Sequence, residues 1–514
     1  MKKRLPLNIS LLIIIGIIAR LIFASTISLV VDEFYVAAIS RKLSLSYFEH
    51  PPLHFWIIHF TAWLTGSESP IILRLPFILL FAGTTWLMYA VTSQLFDRKA
   101  GFYAALTLNL AAVFSVSTGT WLLPDGPLMF FMMAAVFVLI KLLFPPDKGK
   151  SIGLWILCGL LIGLGMLSKY HAAFVLIGGL FFILTARKWR YLLLKPGPYI
   201  TVIIAAIVFI PVIIWNIQHD WISFTFQGVR GAAKGFFPDQ MLLNIVGQMI
   251  WVLPWIWIPL VWQLLNGLKD GPANGENEIT DRDKTWFLCC LALGPIMLFT
   301  VITLWGRSGL PHWQAPGYLM VFPLLGRWTS KRLPHKSKST YTWLTVSALA
   351  LILFVGVLVS HTVTGWVKDI RPGWFTNGDP SIELIDWPQL PKELQKRGLL
   401  PPAPAAPGFV ATTHWIEAGK YDYTLGGKLP VLCLSREPHH FVFLHDQSAY
   451  INKTALIISE EKGADHKLAP YFDSITKLAP INIYRNGRVD MVLLIYLAKG
   501  FKGYPLPYGP GVTD

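Results

Sequence analysis

The sequence predicts a mainly α-helical protein that crosses a membrane about eleven times and ends in a small α/β domain. Three observations predict this. The 514 residues are 54% hydrophobic and only 14% charged, whereas soluble domains carry about 25% charged residues. Apolar runs near or above ~18 residues, the length that argues for a span, recur along residues 1–362. Basic residues are distributed unevenly between alternate connections, which fixes an orientation.

The expected spans lie near residues 7–29, 71–94, 101–117, 127–144, 152–168, 171–186, 199–216, 241–265, 285–305, 315–329 and 341–362. The first run has the polarity of a signal peptide. No small-residue cleavage site follows it, so it reads as an uncleaved helix. With the N-terminus inside, nineteen basic residues fall in inside segments: Lys2, Lys3, Arg4, Arg98, Lys99, Lys148, Lys150, Arg187, Lys188, Arg190, Lys195, Lys269, Arg282, Lys284, Arg327, Lys331, Arg332, Lys336 and Lys338. Six fall outside: Arg41, Lys42, Lys169, Arg230, Lys234 and Arg307. This places the N-terminus in the cytoplasm and the tail outside it. Topology thereby explains much of the net charge of +15, and nucleic acid is not an expected partner. Of the four cysteines, Cys158, Cys289 and Cys290 lie in apolar runs and Cys433 stands alone in the tail, so no disulfide framework is expected.

Residues 30–70 form the first outside loop. Its charges would each cost roughly 3 kcal/mol in hydrocarbon, yet "FYVAAISRKL" and "LHFWIIHFTAWL" are apolar enough to form amphipathic helices along the surface. Pro51 and Pro52 suit the first turn of the second. The tail, residues 363–514, reads as small α/β: "WPQLPKELQKRG" and "HWIEAGKYDYTL" as helices, "GFVATT", "VLCL", "TALIIS" and "INIYRNGRVDMVLLIYL" as strands. "LLPPAPAAPG" reads as a loop within it.

Asp32 and Glu33 stand where the first span meets this loop, a place where a carboxylate can act as general base. The alternative is a solvated acid pair at a helix end. Asp125, in "WLLPDGPL", lies in the next outside connection on the same membrane side, and is either a second acid at the bundle mouth or an ordinary turn acid. Glu49, His50 and His54 in "YFEHPPLHFW" have side chains that bind divalent metals, although their spacing is no metal signature and surface histidines are the plainer reading. Lys169, Arg230, Lys234, Arg307 and His312 are outside cations that suit a phosphate ligand or a lipid headgroup.

The acidic "DE" after the first span, "YFEHPPL", "PDGPL", "LSKYHA", "WNIQHDWISFTFQ" and "HWQAPGY" together resemble the bacterial glycosyltransferase family 39, relatives of protein O-mannosyltransferases and of the aminoarabinose transferase acting on lipid A. The resemblance covers residues 1–365 and continues more weakly into the tail. It implies a GT-C fold and an inverting transfer of a sugar from a polyprenyl-phosphate donor to an envelope acceptor: lipid A or lipopolysaccharide, another glycan, a lipid or a protein. It implies the bacterial inner membrane, with residues 363–514 periplasmic. Asp32 matches the family's first-loop catalytic acid, Glu33 its companion and Asp125 an acid of the second outside loop. Glu49 matches a carboxylate that binds a metal in the aminoarabinose transferase. His50 and Tyr35 depart from that enzyme, which has a lysine and an arginine there. The competing functional classes are a lipid or glycan transporter, which would place ionisable residues in mid-span, and a non-catalytic scaffold. Arg20 is the main ionisable residue inside a span.

Overall fold

A computed structural model describes residues 7–144, 151–231, 235–273, 278–306, 309–376, 379–404 and 406–509. Helices follow one another as α1 (Leu7–Thr26), α2 (Val31–Ser40), α3 (Leu53–Thr65), α4 (Pro70–Leu95), α5 (Arg98–Leu110), α6 (Asp125–Leu143), α7 (Ile152–Ser168), α8 (Ala173–Thr185), α9 (Pro196–Gln218), α10 (Ile222–Gly231), α11 (Pro238–Val252), α12 (Pro254–Asp270), α13 (Asp281–Val301), α14 (Ala315–Leu319), α15 (Phe322–Arg332) and α16 (Ser337–Thr364). Among the described residues, six helices are long and apolar enough to cross a membrane: Asn8–Thr26, Pro70–Leu95, Asp125–Leu143, Pro196–Gln218, Asp281–Leu304 and Ser337–Thr364. Two pairs bent by 115° and 112°, Tyr170–Thr185 with Arg187–Leu194 and Pro238–Val252 with Pro254–Asp270, raise this to eight. The chain is a multi-pass membrane protein.

The other expected spans are short or divided, and proline explains two divisions. Pro254 opens α12, and Pro316 and Pro323 sit in the first turns of α14 and α15. A proline lacks the N–H that a continuing helix needs but suits a new first turn. The 101–117 run ends as α5 at Leu110 and passes into a π-helical turn, Val113–Thr118. The 152–168 run is a 17-residue helix, α7.

Residue contacts divide the chain into two units. The first comprises Met1–Ile22, Leu45–His54 and Arg74–Phe354. In it α7 lies close to α9, because a Cβ on Gly159 would stand 2.5 Å from the Thr201 carbonyl oxygen. Small residues permit such approach in membranes. Arg20 is satisfied inside this unit by neutral acceptors. Its Nε donates to Ser115 O at 3.1 Å, Nη1 to Gly16 O at 2.9 Å, and Nη2 to Asn109 Oδ1 at 3.2 Å and Ser115 Oγ at 3.0 Å. Its guanidinium also stands 4.3 Å from the Phe81 ring centre. The arginine thus secures the π-helical turn, whose irregular backbone exposes carbonyls to such a donor.

The second unit comprises Phe23–Ser44, Phe55–Leu73 and Val355–Asp514. It contains short helices α17 (Trp366–Ile370), α18 (Gln389–Lys396) and α19 (Trp415–Thr424), and strands β1 (Phe409–Thr412), β2 (Val431–Cys433), β3 (Ala455–Ser459), β4 (Ser474–Lys477), β5 (Ile481–Arg485) and β6 (Arg488–Lys499). The sheet order is β2-β1-β3-β6-β4, with β5 also on β6. β1 runs parallel to β2 and β3, and β6 runs antiparallel to β3, β4 and β5. The apolar runs read as strands from sequence are strands here. β4 was not anticipated, because "SITK" is short, polar and mostly exposed.

Within this unit α2 is fastened to α19. A Cβ on Gly419 would stand 2.8 Å from both the nitrogen and the Cα of Tyr35. The Tyr35 ring meets Trp415 at 5.3 Å and Phe441 at 5.7 Å, and its hydroxyl accepts the His440 N–H at 3.0 Å. The departure at Tyr35 therefore has a local structural reason: the position is buried among aromatics. Lys420 lies 3.8 Å from the Phe34 ring centre and donates to the Glu383 and Ile385 carbonyls, each at 2.9 Å. Gly419→Ala should destabilise the protein by about 1–3 kcal/mol, the usual cost of overpacking. Denaturant melts of the full chain will check this.

A buried acid supplies a pH dependence. Glu417 Oε1 accepts from Ser459 Oγ at 3.5 Å and from the Glu460 N–H at 3.4 Å. Burial foremost pushes its carboxyl up to about 7. Folded Glu417 then holds a proton that the unfolded chain releases near 4.5. Its contribution to stability is full below that value and is lost as pH rises toward 7. Melting temperature should therefore fall from pH 5 to pH 8, and Glu417→Gln should reduce that fall.

Candidate active site

The N-terminus of α6 carries Asp125, a buried carboxylate. A helix start favours negative charge. Lys169 follows α7 in extended backbone and is buried too. Its Nζ donates to both Asp125 oxygens, each at 3.0 Å. The turn is held because Ser168 Oγ donates to Pro124 O at 2.6 Å. "PDGPL" and "LSKYHA" thus meet in one ion pair. An ammonium has three protons, and Asp125 takes two of them.

Histidines surround this pair. His171 stacks on Phe299 with ring centres 4.4 Å apart, and its buried Nε2 has no hydrogen-bond partner among the described residues. A buried polar atom of this kind calls for an occupant. Burial first, then the charge of Lys169, brings the His312 imidazole down to about 4, against the pull of Asp125. His312 is therefore neutral at pH 7. His54 is held well below its ordinary value by burial and then by His50.

Two further sequence stretches meet here. Gln227 Nε2 donates to the Glu49 carbonyl oxygen at 2.6 Å, and Phe226 packs on Phe48 at 4.6 Å. α10 therefore holds the segment of Glu49 and His50. The His50 and His54 ring centres stand 5.8 Å apart. Among the described residues no three His, Cys, Asp or Glu side chains converge as a metal-ligand set. Glu49 and His50, the expected metal ligands, are not completed to one.

The loop carrying His312 rests on a buried polar network that sequence reasoning missed. Asn244 Nδ2 donates to Gly309 O at 3.0 Å. Asn244 Oδ1 accepts from Gln314 at 2.8 Å and from Gln248 at 2.7 Å, and Tyr318 donates to Gln248 Oε1 at 2.5 Å. Asn244 and Gln248, four residues apart on α11, were the available signal: polar residues on one face of an apolar helix.

Of the remaining candidates, Arg230 lies in α10 with its side chain outside the described residues, and Lys234 and Arg307 lie outside them altogether. In the second unit, Asp32 is exposed in the first turn of α2. Glu33 is fully buried, and its Oε2 accepts the Val30 N–H at 2.8 Å. Glu33 thus caps the helix whose start carries Asp32.

Residues 49–215 match the family described as dolichyl-phosphate-mannose-protein mannosyltransferase. The lipid A galacturonosyltransferase RgtD of Rhizobium johnstonii is 26% identical over 330 residues, covering 63% of this chain and 65% of its own length. An undecaprenyl phosphate-alpha-4-amino-4-deoxy-L-arabinose arabinosyl transferase of Proteus mirabilis is 26% identical over 251 residues, 44% of each chain. The chain thus spans less than two thirds of the length of these relatives. ArnT from Cupriavidus metallidurans, solved in the apo state, shares the fold at a TM-score of 0.63 and 15% identity, over 95% of this chain and 97% of that one. The same ArnT bound to undecaprenyl phosphate aligns at 0.62. Family match and fold agree with the motifs from "YFEHPPL" to "HWQAPGY": the chain is similar to the family 39 glycosyltransferases, by the family match over residues 49–215 and by a fold like that of ArnT.

Proposed function

We propose that the chain is a membrane glycosyltransferase that moves a sugar from a polyprenyl-phosphate donor, of undecaprenyl-phosphate type, to a cell-envelope acceptor. The buried Lys169–Asp125 pair, with His171 and His312 around it, carries this reading. A transporter would place its ionisable residues at broken helices in mid-membrane, whereas this pair sits at helix ends. The relatives also speak for transfer rather than transport.

In the proposed reaction Asp32 accepts the proton of an acceptor hydroxyl. The freed oxygen attacks the anomeric carbon from the face opposite the phosphate. The carbon–oxygen bond to phosphate breaks, and prenyl phosphate leaves with the bonding electrons, inverting the centre. Asp125 orients Lys169, whose third proton meets the leaving phosphate. Neutral His312 and His171 supply hydrogen bonds to the donor. Arg230, Lys234 and Arg307 are further proposed phosphate contacts. Glu33 holds the first turn of α2. A divalent ion held at Glu49 and His50 has no role in this proposed sequence. Lipid A or another lipopolysaccharide glycan is the favoured acceptor, from the names of the relatives. The proposed setting is the bacterial inner membrane, with the N-terminus cytoplasmic and the C-terminal sheet periplasmic, as the basic residues argue. The proposed division is a catalytic membrane domain over residues 1–362 and a soluble domain over 363–514.

Mass spectrometry of envelope lipids and glycans from cells with and without the gene tests the reading. Loss of a sugar-sized increment from one component is expected, and an unchanged envelope under conditions of expression contradicts it.

A further inference from the structure

An apolar groove of about 510 Å³ runs between α8 and the start of α9, backed by α6 and α7. Trp155, Ile162, Leu180, Pro198 and Tyr199 are among its walls. Gly179 lines it as well, and a Cβ built there meets nothing within 4 Å. Its neighbour Gly178 differs: a Cβ there would stand 2.7 Å from the Cys290 carbonyl oxygen, so that glycine serves helix packing. The space at Gly179 serves no contact within the protein.

The segment that links the two walls of the groove, between α8 and α9, is cationic. The segment Arg187–Leu194 turns away from α8, and Trp189 Nε1 donates to Leu143 O at 3.0 Å. This places it at the end of α6 opposite Asp125. Arg187, Arg190 and Lys195 are exposed there. Lys188 is neutralised by Asp283 at 2.8 Å. Arg190 Nε donates to Leu184 O at 2.9 Å, which holds the guanidinium beside the last turn of α8. Tyr199, whose hydroxyl donates to Leu193 O at 2.8 Å, lines the groove four residues after Lys195. An apolar slot in a membrane helix bundle, with exposed cations on the segment linking its walls and a tyrosine in its lining, has the chemistry of a lipid with an anionic head.

We infer that this groove binds one anionic phospholipid, its phosphate on Arg187, Arg190 and Lys195 and one acyl chain against Gly179. A zwitterionic lipid would bring its own cation to this segment, so charge complementarity selects the anionic class. The site lies at the opposite end of α6 from the Asp125–Lys169 pair and is separate from the proposed donor site.

Native mass spectrometry of the full chain in detergent tests this, with phosphatidylglycerol, phosphatidylcholine and undecaprenyl phosphate offered in turn. Phosphatidylglycerol should be retained in preference to phosphatidylcholine. Arg190→Gln with Lys195→Gln should weaken its retention about thirtyfold, the effect of losing two interfacial cations. Gly179→Leu should fill the slot and expel the lipid with the melting temperature unchanged. The two variants act on different parts of the site, so either one yielding folded protein decides. Equal retention of both phospholipids, or full retention of phosphatidylglycerol in a folded variant, overturns the inference. So does a Gly179→Leu protein that loses undecaprenyl phosphate instead.

Discussion

Asp32→Asn should leave a protein that folds and inserts normally and transfers sugar about 10² to 10⁴ times more slowly, the usual worth of a positioned general base. The expectation of normal folding rests on exposure. Asp32 stands in the first turn of α2 facing solvent, while the buried Glu33 beside it performs the capping. Removing one exposed charge from a helix start costs only about 0.3–1 kcal/mol. Glu33→Ala provides the contrast. It disturbs the cap that α2 depends on, so it should lower the melting temperature where Asp32→Asn does not. Transfer rates with the donor pool, read beside melting curves, separate the two. Full turnover in Asp32→Asn would remove that residue from the chemistry.

Lys169→Met should be the most damaging single change in the membrane part. It leaves the Asp125 carboxylate buried without its cation, a loss of about 3–5 kcal/mol when one partner of a buried pair is removed. It also removes the proposed phosphate contact. The two consequences separate in the double variant Lys169→Met with Asp125→Leu. Replacing a buried pair by apolar groups is often neutral, so stability should return. Transfer should not return, because no ammonium is left to meet the phosphate. A double variant that regains both would reduce the pair to scaffolding.

Features built from local pattern were legible in the sequence. The apolar runs gave the spans, short continuous apolar runs such as "TALIIS" gave strands, and "FYVAAISRKL" and "LHFWIIHFTAWL" gave α2 and α3. Where a run was divided, the divider was often visible as proline, as at Pro254 and Pro323. The π-helical turn after α5 had no such marker. The stretches that build the site were visible, but their pairing was not. Asp125 and Lys169 are 44 positions apart, and Gln227 and the Glu49 carbonyl are 178 apart. Nothing local specifies which cation meets which acid, and a side chain serving a distant backbone carbonyl leaves no spacing to read. His171 stood within a quoted motif but gained its interest only when its buried Nε2 proved to lack a partner among the described residues. Glu33 read as a companion acid because Val30 lacks the hydroxyl that usually marks a helix cap.

The most direct measurement follows the donor. The purified full chain in liposomes, given glycosyl undecaprenyl phosphate from bacterial membranes and a lipid A acceptor fraction, is followed by mass spectrometry. Undecaprenyl phosphate should accumulate as the acceptor gains one sugar mass, and both signals should be lost together in Asp32→Asn. Donor left intact by the unaltered chain across a panel of sugars and acceptors would contradict the proposed transfer.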